Sequence, residues 1–211
     1  HITADVAYGV HLYYSVTGDE DFMEKYGYEL LFDTARYWVS RFEYNSELDR
    51  YEIRNVIGPD EFHEEIDNNA YTNYLANLNL ELAIEYYEKL KKVSPDLFKS
   101  LSEKLELENV YPDWKKKSAK LYLPKMNKDG LLPQDDKYLT LPDYDLTAFK
   151  KGEAPFPNVE VNNYQISKQA DVTALFLLLE DLFTPEEKER NLKYYEARCT
   201  HLSSLSLSTY A

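Results

Sequence analysis

The sequence predicts an all-α fold of paired helices. Apolar residues recur at helical spacing, strongly apolar segments alternate with amphipathic ones, and capping residues or prolines set the segments apart. Val6, Tyr8, Val10, Leu12, Tyr13 and Val16 form the first stripe, and Gly18 ends it by supplying the left-handed residue a helix C-terminus favours. Asp19 caps a second helix, with Glu20 and Asp21 in the first turn where the helix dipole favours acids. That helix is expected to reach about Arg41 through Phe22, Tyr26, Leu30, Ala35, Trp38 and Phe42. Residues 51–56 alternate and read as a short strand or an extended arm. A third helix is expected over 70–93, behind Asp67, Asn68 and Asn69, all good N-caps. Ser94-Pro95 opens a fourth through Leu97, Leu101 and Leu105, and a short basic helix is expected over 112–121 around Trp114. Residues 122–151 break the pattern with Pro124, Gly130, Pro133 and Pro142 among Leu/Tyr segments suited to extended structure. So long an irregular insertion in a compact domain is usually functional. Residues 165–182 are strongly apolar and read as a buried helix, and Thr184-Pro185-Glu186-Glu187 is a capping box for a last helix to about Tyr195. A further helix start is expected over 205–208, at Leu205. Alternating buried and amphipathic helices with short links fit a toroid of helix pairs.

At 211 residues a single core, and so a single domain, is the default. No apolar run approaches a membrane span and no signal peptide is visible. The chain opens inside an amphipathic pattern and closes at a fresh helix start, so both ends read as cuts through a larger domain. Cys199 is the lone cysteine, which excludes a disulfide framework and fits a reducing, cytoplasmic compartment. A net charge of -14 argues against nucleic acid or an anionic membrane as partner. The 20 tyrosines and 9 phenylalanines suit sugar faces, but in a helical protein they belong first to the core.

The stretch that organises the rest is 58–74, Gly-Pro-Asp-Glu-Phe-His-Glu-Glu-Ile-Asp-Asn-Asn-Ala-Tyr-Thr-Asn-Tyr. Gly58 and Pro59 start a rigid turn that opens onto a helix, and a carboxylate there sits on a loop held by a stiff scaffold. The bland alternative is a solvated acidic turn ahead of a surface helix. Asp67 stands where a His-Glu-x-x-His zinc motif needs its second histidine, which excludes that site. Asp135-Asp136 and Asp143 with Asp145 lack the spacing of a calcium loop, so no metal is expected. Nucleotide-binding glycine fingerprints are absent, so no nucleotide cofactor is implied. Cys199 beside His201 reads as a structural cysteine rather than a nucleophile.

The 58–74 wording resembles the general-acid loop of glycoside hydrolase family 65, the inverting disaccharide phosphorylases acting on kojibiose, nigerose, trehalose and maltose. Gly-Leu-Leu-Pro-Gln-Asp-Asp at 130–136, Ser-Lys-Gln-Ala-Asp-Val at 167–172 and His-Leu-Ser-Ser-Leu-Ser at 201–206 follow in that family's order. The resemblance spans essentially the whole chain. It implies a partial (α/α)6 barrel, the later part of the catalytic domain, and a homo-oligomer, a dimer by the family's habit. No cofactor is implied beyond inorganic phosphate as co-substrate, with a disaccharide as the other partner.

Cleaving a glycosidic bond needs a proton delivered to the leaving oxygen, and a carboxylic acid with a raised pKa is the usual donor. Glu61 matches the family's acid. Asp60, Glu64 and Glu65 as like charges and Phe62 as an apolar neighbour are expected to raise its pKa. Inorganic phosphate is already anionic and needs no carboxylate base, so an anion site is expected in its place. His201, Ser203 and Ser204 supply it by resemblance; taken alone they read as serine caps and a surface histidine. Leu202 departs from the Asp or Gly more usual there. Lys168 and Gln169 match the pair that hydrogen-bonds the transferred glucosyl unit, against the alternative of a lysine snorkelling from a helix end. With Arg198 and His201, Lys168 is expected to focus positive charge for the anion. His63 after the acid looks more like the kojibiose, nigerose and trehalose branch than the maltose branch. A related hydrolase, or a non-catalytic helical binding module, remains the alternative.

Overall fold

Gly18 takes φ 64° and its amide bonds to the carbonyl of Tyr14, which ends the first helix, α1 (Ile2–Thr17), as the sequence requires. The computed structural model describes residues 1–204 and 206–210; the helix start expected at Leu205 lies outside the described residues. The chain is mostly helical and divides into two compact units, His1–Glu52 with Thr72–Tyr122, and Ile53–Tyr71 with Leu123–Ala211.

In the first unit the Asp19 carboxylate accepts from the Phe22 amide at 2.9 Å and starts α2 (Glu20–Phe22). A π-helical turn over Met23–Gly27 then leads into α3 (Tyr28–Arg41). This wide turn corrects the expected stripe. It adds a residue to the helical repeat, so Tyr26 and Leu30 turn outward while Met23, Leu31, Phe32, Ala35 and Trp38 form the core face. Gly27 permits it, since a Cβ there would lie 2.3 Å from the Met23 sulfur. The extended arm is a hairpin, β1 (Glu43–Asn45) antiparallel to β2 (Arg50–Glu52), with Tyr44 opposite Tyr51. α4 (Ala70–Val93) has the expected span, and α5 (Pro95–Leu105) opens with Pro95 at its first turn, although the Ser94 hydroxyl makes no capping bond. α6 (Leu107–Ser118) starts earlier than expected and carries Pro112 inside it. Glu106, at φ 53°, separates it from α5, and the fully buried Leu107 and Trp114 anchor it; Trp114 stacks on Phe32 at 5.8 Å. α1 buries its small face, Ala4, Ala7 and Val10, and leaves Ile2 and Val16 exposed.

The second unit is loop-rich. Val56 and Ile66 exchange both backbone hydrogen bonds, at 2.9 and 3.0 Å, and so close the 58–66 turn at its base. The amide of Ala70 donates to the Gln134 carbonyl at 2.8 Å and that of Asp136 to the Asp67 carbonyl at 3.1 Å, tying the irregular insertion to the start of α4. The insertion carries a 3₁₀ turn at Tyr138–Thr140 and α7 (Thr147–Lys150). The buried helix expected over 165–182 is shorter: α8 covers Val172–Leu178, followed by a 3₁₀ turn at Glu180–Leu182. The residues before it are drawn into extended pairing instead, with Ser167 bridging Cys199 in parallel. Leu177 and Leu182 are accordingly exposed. α9 (Pro185–Arg198) begins with the expected capping box at Thr184 and Glu187, and α10 (Ser206–Tyr210) closes the unit. Among the described residues no helix is long and apolar enough to cross a membrane.

Asn191, fully buried on α9, fastens the loop that leads to Gln134. Its oxygen accepts from the Leu132 amide at 2.8 Å, and its amide donates to the carbonyls of Gly130 and Glu187 at 2.9 and 2.8 Å. Asn191→Ala should cost about 3 kcal/mol, because it strands buried backbone groups. A lower chemical-denaturation midpoint is the expected result; an unchanged midpoint contradicts it.

Candidate active site

Asp60, not Glu61, organises the acidic turn. One Asp60 oxygen accepts from the Phe62 amide at 3.2 Å and from the Lys168 amide at 2.8 Å. The first bond folds the backbone around Glu61, and the second brings the 166–169 segment alongside. The other oxygen accepts from the Gln134 side chain at 3.0 Å, with the His63 ring nitrogen 3.8 Å away. Burial pushes the Asp60 carboxyl up, while His63 and the donated hydrogen bonds pull it back. His63 is itself buried, bonded to the Ile166 carbonyl at 3.1 Å and set edge-on to Tyr138.

Behind Asp60 lies Asp171, also fully buried. It accepts from the Asn69 amide at 3.0 and 3.2 Å and from the Asp60 backbone at 3.4 Å. Burial drives its carboxyl well above the ordinary range, and the Asp60 charge adds to the rise. Gly58 is required by this packing, since a Cβ there would stand 2.4 Å from an Asp171 oxygen and 2.6 Å from the Asn69 nitrogen. Asn69 and Asn68 spend side-chain bonds on tertiary ties: Asn69 also reaches the Gln134 carbonyl, and Asn68 donates to Asp136 at 2.8 Å.

Glu61 projects outward from the turn, its side chain 54% exposed. Lys168 and Gln169 both donate to the same Glu61 oxygen, Gln169 at 3.2 Å. The acid and the expected sugar-binding pair thus converge. The expectation of a raised pKa is corrected: the Lys168 and Gln169 hydrogen bonds, with the Lys168 charge, hold the Glu61 carboxyl below its usual range. Exposure removes the desolvation, and Glu64 and Glu65 are exposed rather than packed against it. Lys168 lies in the extended segment before α8, not on the buried helix itself.

The 201–206 loop forms a separate cluster. His201, at φ 54°, turns its Nδ1 onto the Ser206 hydroxyl at 2.9 Å and the Cys199 sulfur at 3.5 Å. Burial, with Lys150 nearby, lowers its pKa, so the imidazole is biased toward neutral. Ser203 is half-buried and Ser204 exposed. The cluster hangs next to Lys168 through the backbone, with the Ser167 amide on the Arg198 carbonyl at 2.9 Å and the Thr200 amide on the Ser167 carbonyl at 2.8 Å. Arg198 does not join a positive focus. It pairs with Asp143 and lies over the Tyr194 ring at 3.8 Å, because its helix directs it to that side. Cys199 is buried, as a structural cysteine should be. No group of three or more His, Cys, Asp or Glu side chains among the described residues could hold a metal.

Sequence reasoning missed Asp60, Gln134 and Asp171 as members of the site. The available signal was that each lies inside one of the motif stretches, beside the residues singled out.

The family model for the glycosyl hydrolase family 65 central catalytic domain matches residues 1–211. A kojibiose phosphorylase of Halothermothrix orenii is 44% identical over 100% of this chain, which spans 28% of that protein. An alpha,alpha-trehalose phosphorylase of Thermoanaerobacter brockii is 37% identical, again over 100% of the chain and 28% of the relative. The solved structure of a putative kojibiose phosphorylase from human microbiome superposes with a TM-score of 0.86 at 27% identity, covering 99% of this chain and 31% of that one. The chain therefore spans under a third of the length of the relatives it matches.

The buried Asp171 makes stability pH-dependent with a definite sign. Its folded pKa is raised, so the folded state holds the proton over a range where the unfolded state has lost it, and stability falls as pH rises through that range. Asp171→Asn removes this slope. The denaturation midpoint of the wild type, measured against that of the variant, should drop as pH rises above the ordinary carboxylate range. A constant difference would show that Asp171 is not held protonated.

Proposed function

The chain belongs to glycosyl hydrolase family 65, and we propose that the full-length protein carrying it is an inverting α-glucoside phosphorylase. The observation that supports this reading best is the convergence of Lys168 and Gln169 on the exposed carboxylate of Glu61. An acid poised beside a cation and a carboxamide on an open turn can meet both a sugar and its leaving oxygen.

In this reading Glu61 is the general acid. Lys168 and Gln169 bind hydroxyls of the glucosyl unit, and His201, Ser203 and Ser204 bind inorganic phosphate. A phosphate oxygen attacks the anomeric carbon as the glycosidic bond breaks, and Glu61 protonates the departing oxygen. The products are β-glucose 1-phosphate and a free acceptor sugar, with inversion at the anomeric carbon. The lowered pKa of Glu61 belongs to the sugar-free arrangement. When glucosyl hydroxyls take up the Lys168 and Gln169 donors, the hold on the Glu61 charge loosens and its proton affinity rises back toward that of an ordinary carboxyl. Neutral His201 contributes as a hydrogen-bond donor, and the serine hydroxyls and loop amides share the anion. Phosphate meets little free positive charge here, since Lys168 and Arg198 are both paired.

The test uses the full-length protein with kojibiose, nigerose, trehalose and maltose, each with and without phosphate. Phosphate-dependent β-glucose 1-phosphate from at least one is expected. Glu61→Gln should keep the fold and lose turnover by roughly a hundredfold to ten-thousandfold, the contribution of a positioned acid. Glucose release independent of phosphate would overturn the anion reading, and full activity of the variant would overturn the acid.

A further inference from the structure

We propose that Asp60 is the positioning residue that sets the acid Glu61 in register with the glucosyl-binding pair Lys168–Gln169. This rests on the reading of Glu61 and Lys168 given above. The geometry is unusual in that one buried oxygen does both jobs. The Asp60 oxygen on the Phe62 amide fixes the two backbone links that flank Glu61. The same oxygen on the Lys168 amide fixes the segment whose side chains reach the Glu61 carboxylate from more than a hundred residues away in sequence. Release of that oxygen would let the acid and the glucosyl-binding pair drift independently.

The second Asp60 oxygen is clamped by the Gln134 amide, and Gln134 is 1% exposed. Asp60 has no exposure at all, so it is not itself a donor to substrate. Its own backbone amide leans on Asp171, which Asn69 holds in turn. The carboxylate is thus fixed from three directions, and no rotation of Asp60 can absorb a shift in either neighbour. Displacement of a reacting group by about an ångström costs roughly a hundredfold in rate, which sets the scale expected here.

The side-chain chemistry separates positioning from bulk structure. In Asp60→Asn the amide oxygen keeps both backbone bonds. Gln134, whose own side-chain oxygen is buried without a partner, can turn its amide to accept from the new nitrogen. In Asp60→Ala both bonds vanish. The two variants are compared in the full-length protein with two donors: its natural disaccharide, and α-glucosyl fluoride. Phosphorolysis of the fluoride forms the same C1–O–phosphate bond while the C1–F bond breaks with its electron pair leaving on fluoride, which needs no proton from Glu61.

Asp60→Ala should lower kcat on the disaccharide by about a hundredfold and kcat on the fluoride by less than about tenfold. KM should rise to a similar degree for both donors, because both present the same glucosyl unit to Lys168 and Gln169. Asp60→Asn should stay within about tenfold of wild type with either donor. Unchanged kinetics in Asp60→Ala, or equal kcat losses with the two donors, would overturn the proposal. Should Asp60→Ala fail to fold, Gln134→Met, which frees the second carboxylate oxygen alone, must show the same donor split in weaker form; an equal loss with both donors again overturns it. Glu61→Gln is run alongside. If that variant keeps full disaccharide turnover, the acid assignment has failed; if it loses turnover while the Asp60 variants do not, the positioning role alone has failed.

Discussion

A carboxylate buried out of water must be surrounded by donors, and that requirement shapes the second unit of this chain. Asp60 is inaccessible, and its neighbours are arranged to satisfy it: the amides of Phe62 and Lys168 on one oxygen, the Gln134 side chain on the other, and the His63 ring close by. Burial of an uncompensated charge costs several kcal/mol, so these donors cannot be given up piecemeal. The acidic turn, the insertion and the segment before α8 are therefore bound together by polar bonds as well as by the buried Ile66, Leu132, Tyr138 and Ile166. The glycine at position 58 is the steric consequence, since no side chain fits against Asp171 and Asn69 there.

Much of this was legible in the sequence, and the exceptions have physical causes. Helix boundaries set by local chemistry could be read directly: Gly18 in the left-handed conformation, Asp19 as cap, Pro95 at the first turn of α5, the Thr184 capping box. Boundaries set by tertiary demands could not. The apolar run over 165–182 satisfies a helical pattern, yet its first third is drawn into extended pairing with Cys199 and into hydrogen bonds to Asp60. The π turn at Met23–Gly27 leaves no signature in hydrophobic spacing, so the inward face of the second helix was displaced by one residue. Pro112 marked a helix start by rule and lies within the helix instead.

The site shows the same division. Glu61, Lys168 and Gln169 were named from motifs, and the fold brings them within hydrogen-bonding reach. Their electrostatics were not legible, because adjacency in sequence suggested like-charge repulsion around Glu61 while the fold supplies an ammonium from a distant segment. Asp60 was read as a like-charge neighbour of Glu61 and Asp171 only as one letter of a motif, and both are buried. A sequence count of carboxylates cannot tell a buried one with its donors from an exposed one. Arg198 and Lys168, the cations expected to focus positive charge for an incoming anion, are committed to Asp143 and Glu61. In the proposed reading, sugar binding and release of Lys168 from Glu61 are coupled.

In the proposed reaction a glucosyl unit takes the Lys168 and Gln169 donors away from Glu61, with the anion held by His201, Ser203 and Ser204. The direct measurement is a crystal structure of the full-length protein with its disaccharide donor and a phosphate-mimicking oxyanion bound. The expected result is a glucosyl ring hydrogen-bonded to Lys168 and Gln169, the glycosidic oxygen within hydrogen-bonding distance of Glu61, and the anion on His201, Ser203 and Ser204 at the opposite face of the anomeric carbon. A sugar bound elsewhere, or one bound while Lys168 keeps its pairing with Glu61, would contradict it.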